Sequence, residues 1–300
     1  MASNSPNAVN AHRSTHRSAG PPRGRLAGLG GGCLLALVLT CVVFVWTRAG
    51  QRLDGELLPR AERGGGYAQE TALAEPAGTV LSFFGDLSFM AAIFVALLVV
   101  TAWNRRFLTG VAGIGVVLCS VAAARVLKLV LARPDLGVAS STTHNSFPSG
   151  HVTAAASLLL AFVLVVAPPL RWWLAVPGVA GVAAVSAATM ISGWHRLSDV
   201  LGGLLLAVAV TCVAASLLQG RRRSADTPRA SASATGRTVV ALVSGAAVVG
   251  TAAALAAVDG AAAAVLAACG CTVLTLVPAL VVLPAPGATP SAGAQSTDLR

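Results

Sequence analysis

Charged residues are scarce in this chain of 300 residues, of which Asp, Glu, Lys and Arg together make up 11%. A soluble globular domain carries about 25% of such residues, so the scarcity excludes an ordinary soluble protein. Hydrophobic residues account for 55% of the sequence, and the mean hydropathy is +0.77. The composition therefore predicts an all-α membrane protein that crosses the bilayer several times.

Lysine is almost absent, since Lys128 is the single lysine among 21 Lys and Arg residues. Metal-binding cysteine patterns are also lacking. All six cysteines fall inside apolar runs, where cysteine behaves as a small hydrophobic residue. Cys269 and Cys271 are separated by one residue and have no histidine nearby, which is a poor zinc motif. We therefore expect neither disulfides nor a bound metal, and no other cofactor is indicated.

The formal net charge of +10 raises the question of a nucleic-acid partner. The basic residues, however, gather at the ends of apolar runs. Membrane topology explains that distribution better than nucleic-acid binding does. The predicted partners are the lipid bilayer and a lipid, not nucleic acid, and the oligomeric state is left open.

Apolar runs divide the chain into membrane spans. Leu26 to Trp46 has 21 residues without a charge, which is long enough to cross about 30 Å of hydrocarbon. Five further core spans are predicted near 78–103, 107–127, 151–168, 172–193 and 200–219. The predicted organisation is a disordered cytoplasmic N-terminus (1–25), a six-span domain (26–219, with its motif core at 75–219), a basic cytoplasmic linker (220–237), two accessory transmembrane helices (238–283) and a disordered tail (284–300).

The distribution of arginine predicts the orientation. With the N-terminus inside, the inside segments hold thirteen arginines and two acidic residues, whereas the first outside loop (47–76) holds four arginines and five acids. This is the positive-inside pattern. It places the polar stretch 128–150 and the turn 195–199 together on the outer face of the cell membrane.

One polar stretch, Asn145 to His151, lies between two long apolar runs and contains Pro148-Ser149-Gly150-His151. A turn that opens a helix directs free backbone N–H groups and the positive end of the helix dipole at one place. That place suits a phosphate, with a histidine beside it that can give a proton. The alternative is an ordinary helix cap, with Ser149 as the capping residue.

Few ionisable residues lie near membrane depth, and such residues are usually functional. Two histidines, a carboxylate and several cations on one face indicate phosphoryl transfer, because cations neutralise phosphoryl oxygens while histidine serves as nucleophile or acid. Asp199 follows His195 by four residues and can orient its ring. The alternatives are a surface histidine at an interfacial turn, cations that snorkel to the interface, and a metal site.

Three motifs in order carry a resemblance to a family. The sequence has Lys128-x4-Arg133-Pro134, then Pro148-Ser149-Gly150-His151, then His195-x3-Asp199. It resembles the type 2 phosphatidic acid phosphatase superfamily, whose motifs are Lys-x6-Arg-Pro, Pro-Ser-Gly-His and Ser-Arg-x5-His-x3-Asp. The resemblance covers roughly residues 75–219 and implies a core of six transmembrane helices.

The resemblance also implies the roles of residues. His195 would be the nucleophile that forms a phosphohistidine, Asp199 its orienting partner, and His151 the general acid for the leaving alkoxide. The phosphoryl oxygens would be held by Lys128, Arg133, Ser149 and the N–H of Gly150. No metal is needed in this mechanism.

The chain departs from the family pattern at two places. The first motif is two residues short, and Ala188 and Thr189 replace the expected Ser-Arg pair, so a phosphate-binding arginine is missing. We hypothesise that Arg125, one helical turn before Lys128, or Arg196, beside His195, supplies the charge.

The expected activity is a metal-independent lipid phosphatase at the outer mouth of a helical bundle, where a substrate enters from the outer leaflet. Phosphatidic acid, phosphatidylglycerophosphate and polyprenyl phosphates or diphosphates such as undecaprenyl diphosphate all fit. The alternative function is a non-catalytic or weakly active membrane protein that binds or moves anionic lipids. A transporter is disfavoured because the sequence has no evident internal repeat.

Overall fold

The computed structural model describes residues 23–56, 58, 72–138, 141, 144–167, 170–223 and 260–283. In these ranges the chain forms nine α-helices and no strand. A short π-helix, Cys41–Val45, extends the first helix. The helices are α1 (Arg23–Thr40), α2 (Arg48–Glu56), α3 (Ala74–Gly85), α4 (Leu87–Trp103), α5 (Phe107–Val130), α6 (Gly150–Val165), α7 (Arg171–Ile191), α8 (Leu197–Arg223) and α9 (Gly260–Val282).

Five helical segments in the described ranges are long and apolar enough to cross a membrane: Gly24–Val45, Phe107–Val130, Arg171–Ile191, Leu197–Gln219 and Ala262–Val282. The pair α3 and α4 makes a sixth if it is counted as one bent span. α6 is a shorter apolar helix of 16 residues. The predicted all-α, multi-pass membrane fold is thus confirmed.

α6 lies at the centre of the bundle and packs against α5, α7 and α8. Twelve of its residues are buried, as expected of a helix that is apolar on every side. Lipid-facing helices instead expose large apolar side chains, such as Trp103 on α4 and Leu129 on α5. Short links make α7 and α8 antiparallel, so the turn at 192–196 lies at one end of the bundle.

Small residues bring the helices into close contact. A Cβ on Gly30 of α1 would lie 3.0 Å from Cys212 of α8, and a Cβ on Gly113 of α5 would lie 3.4 Å from Ala161 of α6. Membrane helices associate through such packing because lipid provides no hydrophobic driving force between them. The glycine-rich composition therefore serves the bundle core.

α9 runs antiparallel to α7. Near the start of α7, Arg171 donates a hydrogen bond from Nη1 to the Leu283 carbonyl, just beyond α9, over 3.4 Å. Further along, Thr272 Oγ1 lies 3.4 Å from Ser186 Oγ. The end of α9 therefore lies at the same end of the bundle as the start of α7 and the end of α8.

The structure departs from the expected span at 78–103, which is divided at Asp86 into α3 and α4 with a bend of 56°. Asp86 has extended backbone geometry and caps α4 by accepting the Phe89 N–H at 2.8 Å. Such a cap satisfies one of the unpaired N–H groups at a helix start. A carboxylate inside an apolar run thus marks a new helix start.

The expected outside loop 47–76 contains α2, whose Gln51 and Asp54 side chains are fully buried. α1 begins at Arg23, so the last three residues of the expected disordered segment are helical. Four other expectations lie outside the described residues: the segment 1–22, the linker 224–237, the span 238–258 and the tail 284–300.

Candidate active site

Both predicted catalytic histidines lie at the same end of the bundle. His151 is the second residue of α6, and His195 lies in the turn before α8. Their ring centroids are 6.5 Å apart and the rings are inclined at 61°. The helix arrangement thus brings together two residues that are 44 positions apart in the sequence.

Asp199 connects the polar segments. It is fully buried, and its Oδ2 accepts hydrogen bonds from Ser146 Oγ at 2.6 Å and from the Arg196 N–H at 2.9 Å. His195 Nδ1 lies 3.3 Å from the same oxygen. A histidine whose Nδ1–H donates to a carboxylate presents Nε2 as the free, basic nitrogen. The contact therefore leaves Nε2 of His195 available for a substrate.

The Pro148-Ser149-Gly150-His151 turn is joined to α8 through the backbone. The Ser149 N–H donates to the Asp199 carbonyl at 2.8 Å. Ser149 Oγ caps α6 by accepting the Val152 N–H at 3.4 Å, which is the arrangement of the alternative interpretation, an ordinary helix cap. Gly150 opens α6, where the first N–H groups have no partner within the helix and favour an anion.

Two adjacent glycines of α8 allow this turn to approach. A Cβ on Gly202 would lie 2.5 Å from the Phe147 ring, and a Cβ on Gly203 would lie 2.9 Å from the Ser149 carbonyl. Any larger residue at either position would push the turn away from α8. These glycines thus set the distance between the two histidine-bearing segments.

Three cations surround this cluster. Lys128, in the last turn of α5, is partly buried and interacts electrostatically with Asp199 and His151. Arg133 and Arg196 are 4% and 5% exposed. Burial, reinforced by the positive charge of Arg196, lowers the pKa of the Arg133 guanidinium, while Asp199 and Asp54 oppose the shift.

The Arg133 guanidinium is only partly satisfied. Its Nε donates to Ser141 Oγ at 3.2 Å, whereas the buried Nη1 and Nη2 atoms have no hydrogen-bond partner among the described residues. Buried polar groups are nearly always hydrogen-bonded, and a planar guanidinium fork matches phosphate oxygens. The two terminal nitrogens are thus suited to an anionic ligand.

The remaining predicted cation, Arg125, is exposed on α5 and interacts electrostatically with Lys128. The positions of the missing Ser-Arg pair, Ala188 and Thr189, are both buried near the end of α7. The Thr189 carbonyl accepts the His195 N–H at 3.1 Å. This position therefore holds His195 through its backbone, although it lacks the arginine side chain.

The structure adds residues to the site that no motif marks. Ser146 donates a hydrogen bond directly to Asp199. Asn145 ties the loop together by accepting the Phe147 N–H at 3.1 Å and donating to the Phe147 carbonyl at 3.3 Å. The Trp194 ring lies 5.6 Å from that of His151. In the sequence, Asn145, Ser146 and Trp194 lie beside the motif residues, and this proximity is the signal that could have identified them.

A second group of missed residues belongs to α2, where no motif marks them. Asp54 accepts hydrogen bonds from Ser198, next to Asp199, and Gln51 donates to the Pro134 carbonyl, next to Arg133. Both lie in a segment of mixed charge that has the composition of a surface loop. Only the tertiary contacts identify them.

Within the described ranges, the His, Cys, Asp and Glu residues form no group of three or more that could hold a metal ion. The polar atoms at the site belong instead to two imidazoles, one carboxylate and the cations around them.

These features define a class: a multi-pass helical membrane protein with two histidines, an aspartate and buried cations at one end of its bundle. Residues 128–223 match the family model of the PAP2 superfamily. The matched segment contains all the motif residues named above, and the predicted resemblance is confirmed. This part of the chain is similar to the PAP2 superfamily.

A solved structure is also similar to the chain: the crystal structure of the first transmembrane PAP2 type phosphatidylglycerolphosphate phosphatase from Bacillus subtilis. The similarity has a TM-score of 0.49 and 19% sequence identity, and covers 67% of this chain and 98% of that chain. No curated protein matches the sequence.

Proposed function

We propose that this protein is an integral-membrane phosphatase that hydrolyses a lipid phosphate or an isoprenoid diphosphate through a phosphohistidine intermediate. The observation that carries the proposal is the pairing of His151 and His195, whose ring centroids are 6.5 Å apart, with Asp199 on Nδ1 of His195. The PAP2-superfamily match over residues 128–223 supports the same chemistry.

The two rings lie close enough together to act on one phosphorus. In-line transfer places the nucleophilic nitrogen about 3 Å from phosphorus and the general acid about 3 Å from the leaving oxygen on the opposite side, so the two reacting nitrogens must lie several ångströms apart. The ring centroids are 6.5 Å apart, a separation of the same order, which supports a shared phosphoryl group.

In the first step, Nε2 of His195 attacks phosphorus while the bond from phosphorus to the alkoxide or phosphate leaving group breaks. Protonated His151 gives its proton to the leaving oxygen. The Asp199 carboxylate stabilises the positive charge that develops on the His195 ring. The products are a phosphohistidine and the protonated leaving group. The leaving group is the free alcohol when the substrate is a lipid monophosphate, and the lipid monophosphate when the substrate is a diphosphate.

In the second step, water attacks phosphorus and the N–P bond breaks. His151, now neutral, takes a proton from that water and is restored to its protonated form. Inorganic phosphate leaves, and His195 returns to its starting state. The same histidine thus acts as acid and then as base.

The cations hold the transferred group. Arg133, with Nη1 and Nη2 unpartnered among the described residues, supplies two donors, and Lys128 and the N–H of Gly150 supply further positive charge. Such fixed charges stabilise the transition state because they need no reorganisation. Ser149 remains a predicted phosphate contact beside its capping role.

Arg196 is the better candidate to replace the missing arginine of the third motif. It is buried beside His195 and lies close enough to Arg133 for the two charges to interact. Arg125 is exposed on α5 and has the position of a snorkelling side chain.

The proposed location is the plasma membrane, with the N-terminus in the cytoplasm and the site at the outer face, as the arginine distribution predicts. A substrate with a polyprenyl or acyl tail would then reach the site from the outer leaflet. The substrate class we favour is an isoprenoid diphosphate of the undecaprenyl type or a lipid monophosphate.

Two accessory spans after the catalytic domain are also proposed. α8 ends at the end of the bundle where α7 starts, and α9 finishes there too, because Arg171 bonds the Leu283 carbonyl. The start of α9 therefore lies at the opposite end of the bundle from the end of α8. The uncharged run 238–258 is long enough to cross a membrane, and we propose it as the first accessory span.

The test is phosphate release from a panel of lipid phosphates and diphosphates by the purified protein in detergent with EDTA present. Turnover should be lost in His195→Ala and His151→Ala, and retained in His144→Ala, which removes an exposed histidine of the same loop. A labelled substrate should leave an acid-labile, base-stable phosphate on the wild type and none on His195→Ala.

Equal turnover in the wild type and both histidine variants would refute the catalytic assignment. Binding of anionic lipid without any phosphate release would favour the alternative function, a non-catalytic lipid-binding protein. The replaced Ser-Arg pair at Ala188 and Thr189 is the feature that keeps this alternative open.

A further inference from the structure

α2 lies outside the segment that matches the PAP2-superfamily model, yet it contacts the candidate site. Its Asp54 side chain is fully buried. The Ser198 N–H donates to Oδ1 at 3.0 Å, and Ser198 Oγ donates to Oδ2 at 2.6 Å. Asp54 thus binds the first turn of α8 with both carboxylate oxygens, at the residue next to Asp199.

α2 is held in place from a second side. Gln51 Nε2 donates to the Pro134 carbonyl at 3.1 Å and to the Val45 carbonyl at 2.8 Å. Trp46 Nε1 donates to the Ala132 carbonyl at 2.9 Å. The chain around α2 therefore bridges the Arg133 segment and the His195–Asp199 turn, which are more than 60 residues apart.

Charged groups surround Asp54 on every packed element. Arg196 and Asp199 lie on the α8 side and Arg133 follows α5. On α2 itself, Arg52 and Glu56 are exposed. An ionised Asp54 therefore gives two buried arginines a counter-charge that Asp199 alone does not supply.

We propose that Asp54 is a positioning residue of the phosphoryl-transfer site: its carboxylate holds the His195–Asp199 turn through Ser198 and balances the charges of Arg196 and Arg133. This inference rests on the proposed phosphatase function. Asp54 touches no reacting atom; it acts through Ser198 and through the orientation of the arginines.

The pKa of Asp54 brings its change of protonation to about pH 6. Burial, together with the negative charge of Asp199, raises the pKa of Asp54 to about 6, and the Ser198 hydrogen bonds and Arg196 oppose the rise. Below that pH the neutral acid still accepts the Ser198 N–H, but its own proton is donated to Ser198 Oγ and the counter-charge is lost. Asparagine has the same shape, one acceptor and one donor group, and no charge, so Asp54→Asn mimics the protonated form.

The experiment compares kcat of the wild type and Asp54→Asn in the phosphate-release assay from about pH 5 to about pH 8. Taking the ratio of wild-type kcat to variant kcat removes the pH dependence that both proteins share. We expect a ratio of about 10 to 100 above pH 7, the range for residues that orient a catalytic group from behind, falling towards one below pH 6. Thermal unfolding of Asp54→Asn should be unchanged or shifted upwards, because the raised pKa of Asp54 means that the folded state favours the uncharged form.

Two further variants sharpen the test. Glu56→Gln removes an exposed carboxylate from the same helix and should leave kcat unchanged at every pH. Ser198→Ala keeps the N–H bond to Asp54 and removes the hydroxyl bond that lowers the Asp54 pKa. The acidic fall in kcat should therefore move to higher pH in Ser198→Ala.

The inference is overturned if the ratio of wild-type kcat to Asp54→Asn kcat is near one at all pH values, or if this ratio does not vary with pH. It is also overturned if kcat of Ser198→Ala falls at the same acidic pH as kcat of the wild type. A large drop in the melting temperature of Asp54→Asn would assign the residue a structural role instead. Absence of phosphate release by the wild type would refute the proposed function itself, which distinguishes the two failures.

Discussion

Replacing Gly203 by alanine tests whether the spacing of the two histidine segments controls catalysis. The added Cβ would lie 2.9 Å from both the Ser149 carbonyl oxygen and Thr153 Oγ1, and 3.2 Å from the Thr153 N atom. Two of these three atoms belong to the backbone of the turn and of α6, so no flexible side chain can simply move aside.

The size of the effect follows from those distances. The start of α6 must retreat by about half an ångström from α8 to restore an ordinary van der Waals separation. Overpacking of this kind costs about 1–3 kcal/mol, which outweighs the roughly 1 kcal/mol that alanine gains over glycine within a helix. The same retreat stretches the Ser149 N–H bond to the Asp199 carbonyl, now 2.8 Å, and moves His151 away from His195.

A misplacement of 1 Å can cost about a hundredfold in rate, so a shift of half that size should lower kcat by about tenfold. The assay is phosphate release together with thermal unfolding in detergent. The matched control is Gly181→Ala on α7, where an added Cβ meets no atom within 4 Å. That variant should keep full activity and be slightly more stable.

Wild-type kcat and wild-type stability in Gly203→Ala would refute this reasoning. Reduced stability with unchanged kcat would show that the close contact serves folding alone. Equal losses in Gly203→Ala and Gly181→Ala would mean that the effect belongs to glycine replacement in general.

Two further predictions concern charge. Arg133→Gln should lower kcat/KM by about ten- to a hundredfold, because a hydrogen bond to a charged group is worth about 1.5–3 kcal/mol. Arg125→Gln should change kcat/KM by less than about threefold. A larger loss in Arg125→Gln than in Arg133→Gln would assign the phosphate contact to Arg125 instead. The folded-state pKa of Asp54 is raised from 3.8 to about 6, so its contribution to stability is fully present below pH 3.8 and is lost as pH rises through 6. The melting temperature of Asp54→Asn relative to the wild type should therefore rise across that window, and a constant difference would contradict the shift.

The sequence alone predicted the helical membrane fold and the identity of the motif residues. In lipid, each span must satisfy its backbone hydrogen bonds within its own helix, so local composition suffices to locate spans such as Phe107–Val130. The histidines and Asp199 could be named in advance because their residue types and spacing carry the chemistry. Local sequence did not predict the break at Asp86. A single carboxylate in an apolar run can lie within one continuous span or cap the start of a new helix, and the sequence pattern is the same in both cases.

The tertiary structure alone decided which groups complete the site. The bond from Ser146 to Asp199 joins residues 53 positions apart, and the bond from Ser198 to Asp54 joins residues 144 positions apart. No periodicity or spacing encodes such contacts, because they depend on how whole helices pack. Composition indicated an exposed loop around Asp54, whereas the structure buries this carboxylate against Ser198, at the start of α8, near two arginines. Local sequence therefore determines which helices form and which side chains can react, and the packing of distant helices determines which of those side chains meet.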